Sequence, residues 1–111
     1  MNEYDVIVIG GGPAGLAAAI KAYDEGAKKV VIVERDEKLG GILNQCIHNG
    51  FGLARFKESL TGPEYADRFI VELETRDIEV MTLTTVLSLD KDKTVTAINE
   101  KNGVFTIKGK S

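Results

Sequence analysis

The chain has 111 residues, 43% hydrophobic and 28% charged, with a formal net charge of -3. That supplies apolar surface for one core and one domain, 1–111, and leaves no room for a second. Basic residues such as Lys29, Arg35, Lys38, Arg55 and Lys57 are scattered among acids, which argues against a nucleic-acid or membrane-surface partner. No apolar run approaches the roughly 20 residues of a membrane span. The single cysteine cannot close an internal disulfide, and Met1 leads almost directly into a strand pattern without space for a signal peptide. The expected location is the cytoplasm.

The first element in chain order is an apolar strand, Asp5-Val6-Ile7-Val8-Ile9, running into the turn Gly10-Gly11-Gly12-Pro13-Ala14-Gly15. An Ala-rich helix follows, then a second apolar strand, Val30-Val31-Ile32-Val33, closed by the acid Glu34. Strand, glycine turn, helix, second strand and an acid about twenty residues past the last glycine together make the dinucleotide-binding βαβ pattern. Gly10 permits the tight turn, Gly12 lets the backbone approach a pyrophosphate, and Gly15 lets helix and strand pack closely. A diphosphate would sit on unpaired N–H groups at the helix start, where the helix dipole favours negative charge. Glu34 would accept both ribose hydroxyls. The alternative is a βαβ unit with a plain glycine turn and no ligand.

From Gly40 to Gly62 the chain is glycine-rich and irregular, and reads as an excursion lying over a ligand. Pro63 then suits a first helical position, and Tyr65, Ala66, Phe69, Ile70 and Leu73 recur at helical spacing, predicting a helix from Pro63 to about Thr75. Residues Glu79 to Thr84 read as a third parallel strand, which completes a βαβαβ unit over about 4–84. Over about 85–109 the rhythm shortens to Val86–Leu89, Thr94–Ile98 and Val104–Ile107, and Asn102-Gly103 is a two-residue hairpin signal. The predicted fold is α/β: a Rossmann-like sheet of three parallel strands with helices, plus a three-stranded antiparallel β-meander.

With these elements in place, the chain resembles the flavoproteins with two dinucleotide-binding domains, of glutathione-reductase and thioredoxin-reductase type, whose N-terminal segment binds FAD. The resemblance rests on Gly10, Gly12, Gly15, Ala19 and Glu34, and on the later Leu39-Gly40-Gly41. The segment from Gly40 to Gly52 is similar to a bacterial subgroup described as FAD-dependent pyridine nucleotide-disulphide oxidoreductases. The resemblance implies FAD as cofactor, NAD(P)H as co-substrate of the whole enzyme, and a meander inserted between the third and fourth parallel strands. It implies cofactor contacts at Gly10, Gly12, Pro13, Ala14, Gly15, Glu34, Arg35, Gly40, Gly41, Gln45 and Val86, the last through its main chain at the adenine edge. The family's later segments are not in this sequence. An N-terminal fragment of a larger enzyme is therefore expected, inactive by itself, with a bare sheet edge beside the first strand that invites self-association. The other readings are a stand-alone nucleotide-binding module and a nicotinamide-only dehydrogenase.

The remaining residues leave alternatives open. Arg35 and Lys38 stand either near the adenosine or on the surface. The family's disulphide reductases use two cysteines, and this chain has only Cys46, which is either a thiolate beside the flavin or a small packing residue. His48 is either a proton donor near substrate or a hydrogen-bonded structural residue. Asn44 and Gln45 suit the polar edge of a ring. One Cys and one His two residues apart do not make a metal site.

Overall fold

The computed structural model of the chain describes residues 2–40 and 62–111. In order the elements are β1 (Asn2–Tyr4), β2 (Val6–Ile9), α1 (Pro13–Asp24), β3 (Val30–Val33), α2 (Gly62–Glu74), β4 (Ile78–Met81), β5 (Thr85–Leu89), β6 (Thr94–Asn99) and β7 (Gly103–Gly109). They form two sheets, a parallel one of order β2-β3-β4 and a second of order β1-β7-β6-β5. In the parallel sheet Val6 is in register with Val30 and Val30 with Ile78, as expected for the βαβαβ unit.

Strand β3 is buried at every position, as a central parallel strand of Val and Ile should be. Successive side chains alternate faces. Val30 and Ile32 pack with Leu16, Ala19 and Ile20 of α1 and with Phe69 and Leu73 of α2. Val31 and Val33 pack on the other face with Tyr4, Val95 and Ile107 of the second sheet. The result is three layers: helices, parallel sheet and meander. The C-terminal ends of the two helices are tied as well, because the Arg76 guanidinium donates to both carboxylate oxygens of Asp24 at 2.7 and 2.9 Å.

Three details differ from the sequence expectation. The meander gains a fourth strand, β1, which pairs parallel with β7 from Asn2–Ile107 to Tyr4–Gly109. The expected first strand, Asp5–Ile9, begins at Val6, and Asp5 separates it from β1. That carboxylate accepts the N–H groups of Lys28 and Lys29 at 2.8 and 3.0 Å, turning the chain from one sheet into the other. The third strand ends at Met81 instead of Thr84. Leu83 has φ +51, and its N–H donates to the Asp36 carbonyl at 3.0 Å. Last, the β6–β7 hairpin joins Asn99 to Gly103 through Glu100, Lys101 and Asn102, with Gly103 at φ +64. That is a three-residue loop with a left-handed closing glycine in place of the two-residue Asn-Gly turn.

The expected open edge lies at β2. Its outer side is met by the Ile7 N–H donating to the Ser111 carbonyl at 3.1 Å, while Ile9 stays 50% exposed.

Tyr4 joins the two sheets. It is 2% exposed, and its hydroxyl donates to Glu79 of β4 at 2.9 Å, with the Lys29 ammonium 4.9 Å from the ring centre. Burial, then the Glu79 carboxylate, pushes the phenol up to about 12 from the usual 10.0. A raised acid pKa means that the unfolded chain ionises first. The stability Tyr4 contributes is therefore complete below pH 10 and is lost as pH rises toward 12. Tyr4→Phe should cost about 1 kcal/mol at pH 8 in urea unfolding. The variant should also lose less stability than the wild type between pH 10 and 12, and equal losses would remove the assignment.

Candidate functional site

The C-terminal ends of β2, β3 and β4 meet at one rim. At the end of β2, Gly10 turns with φ +100, and its N–H donates to Val33 at 2.8 Å. α1 starts at once, with Pro13 at its first turn and Gly12 as N-cap; no side chain caps it and its first turn carries no acid. A Cβ on Gly15 would overlap the Gly10 carbonyl oxygen, so only glycine lets the helix start this close to the strand. Around Gly12 a Cβ would meet nothing within 4 Å, so the loop's backbone borders open space there.

Glu34, 7% exposed, follows β3. Its carboxylate accepts the Gly11 N–H at 2.6 Å through one oxygen and the Asp36 N–H at 2.7 Å through the other. With Gly10 and Gly11 committed, the N–H groups at the helix start that carry no partner in its own first turn are those of Gly12, Ala14 and Gly15. Each Glu34 oxygen keeps a lone pair for a further donor. The loop is closed from behind by the Gly40 N–H, which donates to the Gly11 carbonyl at 2.7 Å.

The rim encloses a cleft of about 430 Å3 lined by Gly10, Glu34, Arg35, Asp36, Thr84 and Val86 among others. That is within the roughly 300–1,000 Å3 range of ligand pockets. The turn after β4 is strapped to it: the Glu34 N–H donates to Met81 at 2.8 Å and the Thr84 N–H to Glu34 at 2.9 Å. The Thr84 hydroxyl, buried, donates to the Thr82 carbonyl and accepts from the Asn99 amide at 3.1 Å. Val86 lies on β5, the edge strand of its sheet, so alternate peptide groups there point away from β6.

The structure thus brings Gly10, Gly12, Pro13, Ala14, Gly15, Glu34, Arg35, Gly40 and Val86 to one rim. Lys38 is exposed and does not line this cleft. Gly41, Asn44, Gln45, Cys46 and His48 lie outside the described residues. Gly11, Asp36 and Thr84 are rim residues to which the sequence pattern assigns no role. Gly11 has a steric reason of its own, because a Cβ there would collide with Leu39 and press on the Glu34 carboxylate. The one available hint is the third consecutive glycine, which the fingerprint does not require.

Among known proteins, the sequence model of the family described as FAD dependent oxidoreductase matches residues 5–103. The chain belongs to this FAD-dependent oxidoreductase family. It is 63% identical over 40 residues to the NADH:fumarate oxidoreductase of Klebsiella pneumoniae, covering 36% of this chain and 4% of that protein. It is 42% identical over 75 residues to the dihydrolipoyl dehydrogenase of Bacillus subtilis, covering 64% of this chain and 15% of that protein. The fold matches L-proline dehydrogenase from P. horikoshii with a TM-score of 0.79 at 23% identity, over 97% of this chain and 21% of that one. The chain therefore spans a small fraction of each of these three proteins. The family resemblance read from the glycines, Glu34 and Leu39-Gly40-Gly41 is borne out, as is the α/β flavoprotein fold.

The residues of this FAD-dependent oxidoreductase chain fit the adenosine diphosphate half of the family cofactor. An uncapped helix start faces open space at Gly12, and a carboxylate with spare acceptor capacity stands at the next strand end. Among the described residues no helix is long and apolar enough to cross a membrane, and no group of three acid, His or Cys residues is placed to hold a metal.

Two neighbouring glycines separate folding from binding. Gly11→Ala should lose about 1–3 kcal/mol in urea unfolding through the collision with Leu39 and Glu34. Gly12→Ala, with open space around it and φ -74, should stay within about 0.5 kcal/mol of wild type. Equal costs at the two positions would contradict the geometry.

Proposed function

We propose that this chain is the FAD-binding part of a flavin-dependent oxidoreductase that passes electrons between NAD(P)H and an acceptor. The observation that carries the reading is the Glu34 carboxylate, held beside the glycine loop and an uncapped helix start above a 430 Å3 cleft. In it, the N–H groups of Gly12, Ala14 and Gly15 receive the diphosphate, aided by the positive end of α1. Glu34 accepts the ribose hydroxyls while keeping its bonds to Gly11 and Asp36. Arg35 lines the cleft next to Glu34, and a main-chain group near Val86 meets the adenine edge. Gly41 and Gln45 belong to the proposed flavin contacts by family resemblance. Bound flavin supplies the hydride and electron chemistry; the chain binds and orients it. Cys46 and His48 are the candidates for contact with the reacting ring.

The relatives' names support the electron-transfer part: one is an NADH:fumarate oxidoreductase and another a dihydrolipoyl dehydrogenase. The reading places the enzyme in the cytoplasm, in line with the single cysteine of these 111 residues. It also makes the outer side of β2 the place where a second copy would pair.

An absorbance spectrum of purified protein, then titrations of apo-protein with FAD and with NAD(H), tests the reading. FAD is expected to bind more tightly than NAD(H), and Gly12→Ala to weaken FAD binding at least tenfold while the fold survives. Tighter NAD(H) binding would replace the flavin reading with that of a nicotinamide enzyme.

A further inference from the structure

The cleft at Glu34 has a larger neighbour. A second hollow of about 770 Å3 opens between the end of β4 and the β6–β7 hairpin, lined by Leu83, Asn99 and Lys101 among others. It shares Arg35 and Thr84 with the first, so the two adjoin along one wall.

Leu83 stands on the far side of that wall and is costly there. Its φ of +51 is a left-handed conformation that residues other than Gly, Asn and Asp rarely adopt. Burial does not repay the strain, since the side chain is 63% exposed. Glycine would take this backbone shape without strain, and asparagine nearly so. The shape is imposed by the candidate site itself: the Leu83 N–H donates to the Asp36 carbonyl at 3.0 Å, and the next residue, Thr84, donates to Glu34 at 2.9 Å. Residues at the ribose end of the cleft therefore hold an exposed leucine in a strained form beside it. Strain of this kind, over-determined by its surroundings, concentrates at ligand clamps.

The proposed occupancy of the cleft gives the leucine a purpose, and the role assigned to Leu83 rests on it. With the diphosphate at Gly12 and the ribose at Glu34, the base extends away from the glycine loop, toward Arg35 and Thr84 and the shared wall. We infer that Leu83 is a base-contact residue: an apolar surface for the adenine of the bound dinucleotide, with Arg35, which lines both hollows, supplying a planar guanidinium to stack on the ring. The second hollow then takes the outer part of the base. In this role the left-handed backbone serves to present a leucine at the second hollow, past the end of a strand whose regular pleat stops at Met81.

The test titrates the full chain with ADP, comparing wild type, Leu83→Gly and Leu83→Met, with a melting temperature for each. Leu83→Gly should melt no lower than wild type and bind ADP roughly tenfold more weakly, the loss expected for part of a leucine contact. Leu83→Met should bind within about threefold of wild type. In the wild-type complex, NOEs are expected from the Leu83 methyl groups to adenine H2 or H8, a readout that does not depend on any variant folding. Wild type that binds ADP without those NOEs, or Leu83→Gly that binds as tightly as wild type, overturns this inference and leaves the site standing. Wild type that does not bind ADP overturns the reading of the site and this inference with it.

Discussion

The Glu34 carboxylate, almost fully buried, is bonded to the Gly11 N–H at 2.6 Å and to the Asp36 N–H at 2.7 Å, and the whole rim is arranged around that bridge. A buried carboxylate without partners would be strongly unfavourable, whereas hydrogen bonds to a charged group contribute about 1.5–3 kcal/mol each. The bridge therefore fixes two loops at once: the glycine turn after β2 and the segment after β3. Leu39 closes over Gly11 from one side, and Gly40 bonds its carbonyl. The turn after β4 bonds the same segment through Met81, Leu83 and Thr84. Three strand ends, far apart in sequence, are held to one carboxylate-bearing segment, so the amides at the start of α1 are fixed in place.

That rim needs a rigid base, and the packing of β3 supplies it. Alternate residues of one short strand serve two cores, one with the helices and one with the meander. The meander is more than a cover, because β1 enters it before the chain crosses at Asp5 to begin the parallel sheet. Tyr4 then binds across to Glu79 on β4. Shifting one sheet against the other would break that hydrogen bond and unseat Tyr4 from among Val31, Val33 and Ile107. The positions of Thr84, Thr85 and Val86, at the junction between β4 and the meander, follow from this coupling.

Most of the site was legible in the sequence because its demands are local. Gly15 approaches a residue five positions earlier, and Glu34 ends an unmistakable apolar strand, so spacing alone carries both. Gly11 was not legible, since the groups that exclude a side chain there, Leu39 and the Glu34 carboxylate, are brought in by the fold. β1 was hidden for a related reason: three residues, two of them polar, show no periodicity, and their partner is β7 at the other end of the chain. The run from Glu79 to Thr84 reads as one strand by composition, and a leucine gives no warning of a left-handed turn. Only the bonds to Glu34 and Asp36 impose it. In the hairpin the Asn-Gly pair marked the correct place and the wrong loop, because Asn102 donates its N–H to the Asn99 side chain at 2.7 Å and leaves Gly103 alone to reverse the chain.

The structure thus joins a family assignment to a specific geometry: amides of Gly12, Ala14 and Gly15 presented by a carboxylate bridge at the end of β3. Amide chemical shifts of the labelled chain during a titration with ADP test this most directly. The account predicts that the largest shifts fall at Gly12, Ala14 and Gly15, with further changes at Glu34 to Asp36 and Thr84 to Val86. Saturable binding whose shifts cluster elsewhere, leaving the Gly12 to Gly15 amides in place, would contradict it.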